Sequence, residues 1–275
     1  MFSVKNKTII VTGSSGVIGS AVSTALVKNG ARMVLLGRTG KKLQETYSKI
    51  SQTGGNHLQF VCDVLDIDSL ELVREKILKE VQQIDALINI AGGATPGAST
   101  KTEFLRDENA FEDSFFGIDT EAFRTTTDLN FLGSVYPTKV FGEIMANQKS
   151  GNIINISSMG AIQPLSKSPA YSAGKAAISN FTQWLAVHLS KVNVRVNAIA
   201  PGFILTEQNR FLLFDEKTGE LTPRGKRIVE HTPQGKLGNP EDLISTILWL
   251  LSNNSSFVTG IIVPVDGGFS AYNGI

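Results

Sequence analysis

At 275 residues, with 41% apolar and 19% charged side chains, the chain has the makeup of a globular protein long enough to bury a sizeable core. Its formal net charge of +1 supplies no broad field for nucleic acid or an anionic membrane, so the partner to expect is a small molecule. The single cysteine, Cys62, excludes a disulfide framework and a cysteine-built zinc site, and fits a reducing compartment.

The chain opens MFSVKNKTIIVTG, directly into a strand, and no apolar stretch reaches membrane-span length; a soluble, cytoplasmic protein is expected. Short apolar runs that read as buried strands recur at 8–11, 32–36, 58–62, 86–90, 152–156, 195–199 and 261–263. Helix-length segments separate them. Parallel strands need such crossovers, so the pattern predicts an α/β fold: one Rossmann-type, doubly wound parallel sheet with helices on both faces. No repeat or linker divides the chain, so residues 1–275 read as a single domain. Two long polar stretches break the alternation, at about 93–120 and 207–240. Each follows a strand, so both are expected to border a ligand site on the substrate side.

The first strand runs into Thr12-Gly-Ser-Ser-Gly-Val-Ile-Gly19 and then a helical pattern over 20–29. Gly13 permits a tight turn, Gly16 lets the backbone approach a pyrophosphate, and Gly19 allows close packing of helix on strand. The free N–H groups of this turn, Ser15 to Gly19 with Val17 and Ile18 among them, suit phosphate. The second strand ends Leu36-Gly37-Arg38, with no carboxylate for a ribose 2′-OH and an arginine that could pair with a 2′-phosphate. NADP is therefore favoured, with NAD as the alternative. Asp63, after the third strand, could bond the adenine amino group or serve as a cap.

A further strand ends at Ser157-Ser158, and thirteen residues later Tyr171-Ser-Ala-Gly-Lys175 opens a helix. Four residues apart is one helix face, so Lys175 should neighbour Tyr171 and favour its phenolate over the usual pKa of about 10. Such a tyrosine is a general acid/base. His57, His188 and His231 lack the spacing of a metal site, and no metal is expected.

These segments together resemble the short-chain dehydrogenase/reductase family over essentially the whole chain. The motifs are TGSSGVIG (12–19), CDV (62–64), NIAG (89–92), Asn130 in DLNFLG, ISS (156–158), YSAGK (171–175), PG (201–202) and VDGG (265–268). The resemblance implies Tyr171 as acid/base and Lys175 as the residue that tunes it and holds the nicotinamide ribose. It implies Ser158 orienting the substrate oxygen and Asn130 anchoring a proton relay. It also implies cofactor contacts at Val64, Asn89, Ala91, Gly92, Pro201, Gly202, Ile204 and Thr206, and a homotetramer or homodimer. The glycine spacing is closer to that of larger family members such as sugar-nucleotide epimerases, but the chain has no room for their C-terminal substrate domain.

Segments 169–210 and 264–274 resemble the branch described as D-mannonate oxidoreductase, or fructuronate reductase. The implied substrate is a sugar acid, D-fructuronate or D-mannonate, with Gln208, Asn209, Arg210 and Arg224 as candidate contacts. The branch often carries Asn at position 160, where this chain has Gly. Two alternatives stand beside this reading: an enzyme for another polyol or keto acid, and a non-catalytic protein that senses NAD(P) on the same fold.

Overall fold

All seven apolar runs form strands in the computed structural model, which describes residues 2–206 and 209–274. They are β1 (Thr8–Thr12), β2 (Arg32–Gly37), β3 (Leu58–Val61), β4 (Ala86–Asn89), β5 (Gly151–Ile156), β6 (Val194–Pro201) and β7 (Ile262–Val265). Every pairing is parallel, in the order β3-β2-β1-β4-β5-β6-β7. Strand alternation splits the apolar residues between two cores. Ile9 and Val11 pack with Val22, Leu26, Ile247 and Leu250 on one face, whereas Ile10 packs with Leu70, Val73, Ile77 and Phe141 on the other. Burial on both faces is why the central strands read as unbroken apolar runs. Pro264 sits in β7, where an edge strand tolerates the missing N–H.

Eight α-helices connect or flank the strands: α1 (Val17–Lys28), α2 (Gly40–Ser51), α3 (Ile67–Glu80), α4 (Thr120–Gln148), α5 (Pro169–His188), α6 (Arg210–Leu213), α7 (Pro223–Glu230) and α8 (Ile244–Leu251). Their starts follow from local chemistry. Asp66 caps α3 by accepting from Ser69 N at 3.0 Å, Asp119 caps α4 by accepting from Ala122 N at 2.6 Å, and α5 opens on Pro169. α1 begins at Val17, ahead of the expected Ser20, because Gly16 is extended at ψ 167° and its carbonyl already accepts from Ser20 N. That moves Val17, Ile18 and Gly19 into the first helical turn, whose N–H groups precede any i−4 carbonyl.

Both long stretches have structure of their own. In the first, Lys101 N and Thr102 N bond to the Asp113 carbonyl at 2.9 and 3.0 Å, closing a loop around two short 3₁₀ turns. The second holds α6, an antiparallel bridge from Phe214 to Leu221, and α7, whose cap is Thr222. No described helix is long and apolar enough to cross a membrane.

Candidate active site

The strand order reverses between β1 and β4, and in such sheets the carboxyl ends on either side of the reversal leave a crevice. A groove of about 350 Å³ lies there. Gly13, Ser15, Gly16, Val17, Ile18 and Gly19 form its floor, Arg38, Asp63 and Val64 one end, and Ala91, Gly92 and Thr206 the other. Twelve residues expected to hold a cofactor, scattered through the sequence, thus share one concavity.

Two glycines are obligatory for this shape. Gly13 has φ +62°, and a Cβ there would lie 2.7 Å from Ala91 N; a Cβ on Gly19 would lie 2.2 Å from the Gly13 carbonyl oxygen. Thr12 fastens the turn to the next strand, its Oγ1 accepting from Ile90 N and Ala91 N at 3.1 and 3.3 Å. At the far end Arg38 stands 3.7 Å from the Asp63 carboxylate, with Lys42 beside them.

The other expected cofactor residues sit outside the groove lining. Asn89 faces inward: its Nδ2 donates to Thr138 Oγ1 and Asn155 Oδ1 at 2.9 and 2.8 Å, tying α4 to β4 and β5. Pro201 ends β6, and Gly202 packs so closely on Asp266 that a Cβ would meet its Cα at 2.6 Å. Ile204 is buried in the core, so only its main chain is available to a ligand.

The chemical end of the crevice gathers Asn130, Ser158, Tyr171 and Lys175 from α4, the end of β5 and α5. Ser158 is buried, and its Oγ accepts from Gly160 N at 3.0 Å. Burial pushes the Tyr171 phenol above its ordinary pKa, opposed by its bond to the Ser158 side chain. Lys175 Nζ donates to the Ile156 carbonyl at 2.7 Å and lies 5.7 Å from the centre of the Tyr171 ring. Its enclosure lowers the ammonium pKa to about 8. The sequence led us to expect a phenol depressed by its lysine; in this state the sign is reversed, because desolvation dominates both groups.

Asn130 Nδ2 donates to the Gly93 and Thr126 carbonyls at 2.6 and 2.7 Å, and its Oδ1 accepts from Gly93 N at 3.2 Å. A Cβ on Gly92 would fall 2.9 Å from Asn130 Oδ1 and 3.2 Å from Lys175 Nζ. The absent side chain leaves the floor between these two groups bare, a cradle that fits the ribose and nicotinamide of a dinucleotide.

The four candidate substrate contacts do not converge. Gln208 lies outside the described residues. Asn209 is consumed by its own loop, accepting from Thr206 N and donating to the Ile204 carbonyl, both at 2.8 Å. Arg210 turns away from Tyr171, its guanidinium carbon 4.8 Å from the centre of the Phe214 ring, in a groove shared with Ser15 and Lys42. Arg224 alone borders the loop between Ser158 and Tyr171. A contact not read from the sequence closes this side: Arg227 of α7 grips Glu103 of the first insertion, its terminal nitrogens each 3.1 Å from the carboxylate. No local pattern marks a pair 124 residues apart. Lys42 was findable, one helical turn after Arg38 at the start of α2.

Among the described residues no cluster of three or more His, Cys, Asp or Glu could hold a metal. A family model described as enoyl-(acyl carrier protein) reductase matches residues 13–270. An uncharacterized oxidoreductase of Haemophilus influenzae is 45% identical over 98% of this chain and 95% of its own length. The 2-dehydro-3-deoxy-D-gluconate 5-dehydrogenase of Dickeya dadantii is 30% identical over 98% of each chain. A crystal structure from Haemophilus influenza, provisionally named a D-mannonate oxidoreductase and containing NAD, is 44% identical and superposes with a TM-score of 0.92, covering 99% of this chain and 98% of that one. With the groove, the Ser–Tyr–Lys end and the sheet order already in place, the chain belongs to the short-chain dehydrogenase/reductase family, as an NAD(P)-dependent oxidoreductase acting on CH–OH groups.

Proposed function

We propose that the protein interconverts a ketone and a secondary alcohol on a sugar acid, with D-fructuronate and D-mannonate as the pair of first choice. The observation that carries the chemistry is the meeting of Ser158, Tyr171 and Lys175 at the end of the dinucleotide groove. The choice of substrate class is supported by similarity to one relative named for a keto sugar acid and to another provisionally named for D-mannonate.

In the reducing direction NAD(P)H, when bound, supplies a hydride to the carbonyl carbon. The Ser158 hydroxyl donates to the carbonyl oxygen and fixes its position. Tyr171 gives its phenolic proton to that oxygen as the C–H bond forms, so the product is the neutral alcohol. Lys175, buried beneath the ring, stabilises the phenolate left behind. Asn130 acts through position, holding the Gly92–Gly93 segment so that the Lys175 side stays open to a proton path. Thr206 and the main chain at Ile204 are placed to hold the carboxamide, and the helix N-terminus at Val17 to Gly19 the pyrophosphate. Alignment of these groups, with the cofactor's own chemistry, is what the fold contributes.

NADP(H) is the proposed cofactor because Arg38 and Lys42 flank the adenosine end. A side chain at Gly37 would press on Ser15, its Cβ 2.9 Å from Oγ. NAD(H) is the alternative, favoured by the NAD in the Haemophilus structure. The reading extends to a cytoplasmic homotetramer or homodimer, supported by the exposed ladder of Trp184 stacked on His188 along α5. The deciding experiment is reduction of a panel of keto sugar acids, neutral ketoses and non-sugar ketones with each cofactor. Turnover confined to keto sugar acids is expected. Binding of NAD(P) with no turnover of any member would instead favour a sensor.

A further inference from the structure

A second cavity, of about 430 Å³, lies between the loop 163–168 and α7. Leu165 forms its inner wall. A Cβ placed on Gly160 would lie 3.3 Å from Leu165 Cγ and 3.4 Å from Ser158 Oγ, so one side chain separates this cavity from the hydroxyl beside Tyr171.

The charges around it are lopsided. Lys167, Arg224, Arg227 and His231 line the cavity against one acid, Glu103. Arg224, Arg227 and His231 follow each other at three- and four-residue intervals, so α7 and its cap turn one cationic face toward the loop. The side chain of Arg227 is 63% exposed, and an ion pair so exposed contributes little to stability. Crowding three or four cations into one concavity also incurs mutual repulsion, so folding alone gives no reason for the arrangement.

Arg227 already displays the capacity required. It holds the Glu103 carboxylate through its two terminal nitrogens, leaving its Nε edge without a partner among the described residues. Arg224 has no ion pair among them, and Lys167 uses its Nζ on the Lys101 carbonyl with further protons to donate. A guanidinium edge is the group that fits a carboxylate bidentately.

We propose that this cavity is the carboxylate subsite of the active site: the acid group of the substrate docks on Arg224 and the Nε edge of Arg227, flanked by Lys167. The same molecule's carbonyl then reaches Ser158 and Tyr171. Glu103 orients Arg227 from the opposite insertion. The assignment rests on the sugar-acid reading above and names the residues that impose it.

The test compares D-fructuronate with D-fructose, which carries CH₂OH in place of the carboxylate, and uses 5-keto-D-gluconate as a second acid. In Arg224→Met and Arg227→Met, KM for either acid should rise at least about tenfold with kcat within about threefold. KM for D-fructose and the Kd of NADPH should stay within about twofold, and Arg227→Lys should recover part of the loss. Variants whose KM for the acids stays within about twofold of wild type, or which lose acid and neutral substrates alike while still binding NADPH, overturn the subsite but leave the sugar-acid reading intact. A wild-type enzyme that turns over neither acid overturns both.

Discussion

Asn130 and Gly93 exchange two hydrogen bonds, Nδ2 donating to the Gly93 carbonyl at 2.6 Å and Oδ1 accepting from Gly93 N at 3.2 Å. The pair clips the first residues after β4 to the middle of α4, and with them the bare floor at Gly92.

Asn130→Ala removes both bonds and the one to the Thr126 carbonyl, in a fully buried place. The stability loss should be about 2–3 kcal/mol, read by denaturant unfolding, with kcat falling at least about tenfold. A variant as stable as the parent would show that the clip bears no strain.

Tyr171→Phe should lower kcat by about 10³-fold and Ser158→Ala by about 10²-fold, with NAD(P)H binding retained in both. Burial keeps the Tyr171 phenol protonated above its ordinary range. Ketone reduction should therefore hold its rate from about pH 6 to 9, while alcohol oxidation, which needs the phenolate, climbs with pH. Near-native turnover by Tyr171→Phe would remove Tyr171 from the proton-transfer role.

Lys175→Met should be inactive yet more stable. With a folded-state pKa of about 8 against 10.5 unfolded, the folded chain carries the full cost of a buried ammonium below pH 8. Between the two values the unfolded chain binds the extra proton, so stability rises with pH, and above 10.5 the cost is gone. The variant's advantage should be on the order of 2 kcal/mol at pH 7, allowing for the lost bond to Ile156, and should fade by about pH 10.5. Thermal melts at both pH values check this; an advantage independent of pH would sink the account.

At the cofactor end, Gly19→Ala puts a methyl 2.2 Å from the Gly13 carbonyl oxygen and 2.7 Å from Ser14 Cα, both backbone. A loss of about 1–3 kcal/mol and weakened dinucleotide binding are expected. Arg38→Ala should weaken NADPH about tenfold and NADH hardly at all, in a fluorescence titration. Equal effects on the two would transfer the preference to NAD.

The sheet was legible because its strands are covered on both faces and so read as apolar runs. The dinucleotide groove was legible because tight turns and close backbone approach require glycine at positions 13 and 19. What escaped was set by contacts between distant segments. Asn89 and Ser158 both end strands, yet Asn89 points into a polar network with Asn155 and Thr138, and only the packing of α4 decides that. Asn209 and Arg210 are adjacent polar residues in a loop, and loop composition says nothing of which one staples the turn and which stacks on Phe214. The protonation of Tyr171 was misjudged in sign because spacing reveals a neighbouring charge but not how dry the site is.

The grip of Arg227 on Glu103 has a consequence for anyone who redesigns this scaffold. Loops that border an active site are commonly exchanged one at a time between relatives to alter selectivity. Here a graft of either segment alone strands a charge on the other, so the two form a single transplantable unit despite the sheet that separates them in the chain. Chimaeras that move both together should express and fold where single exchanges do not.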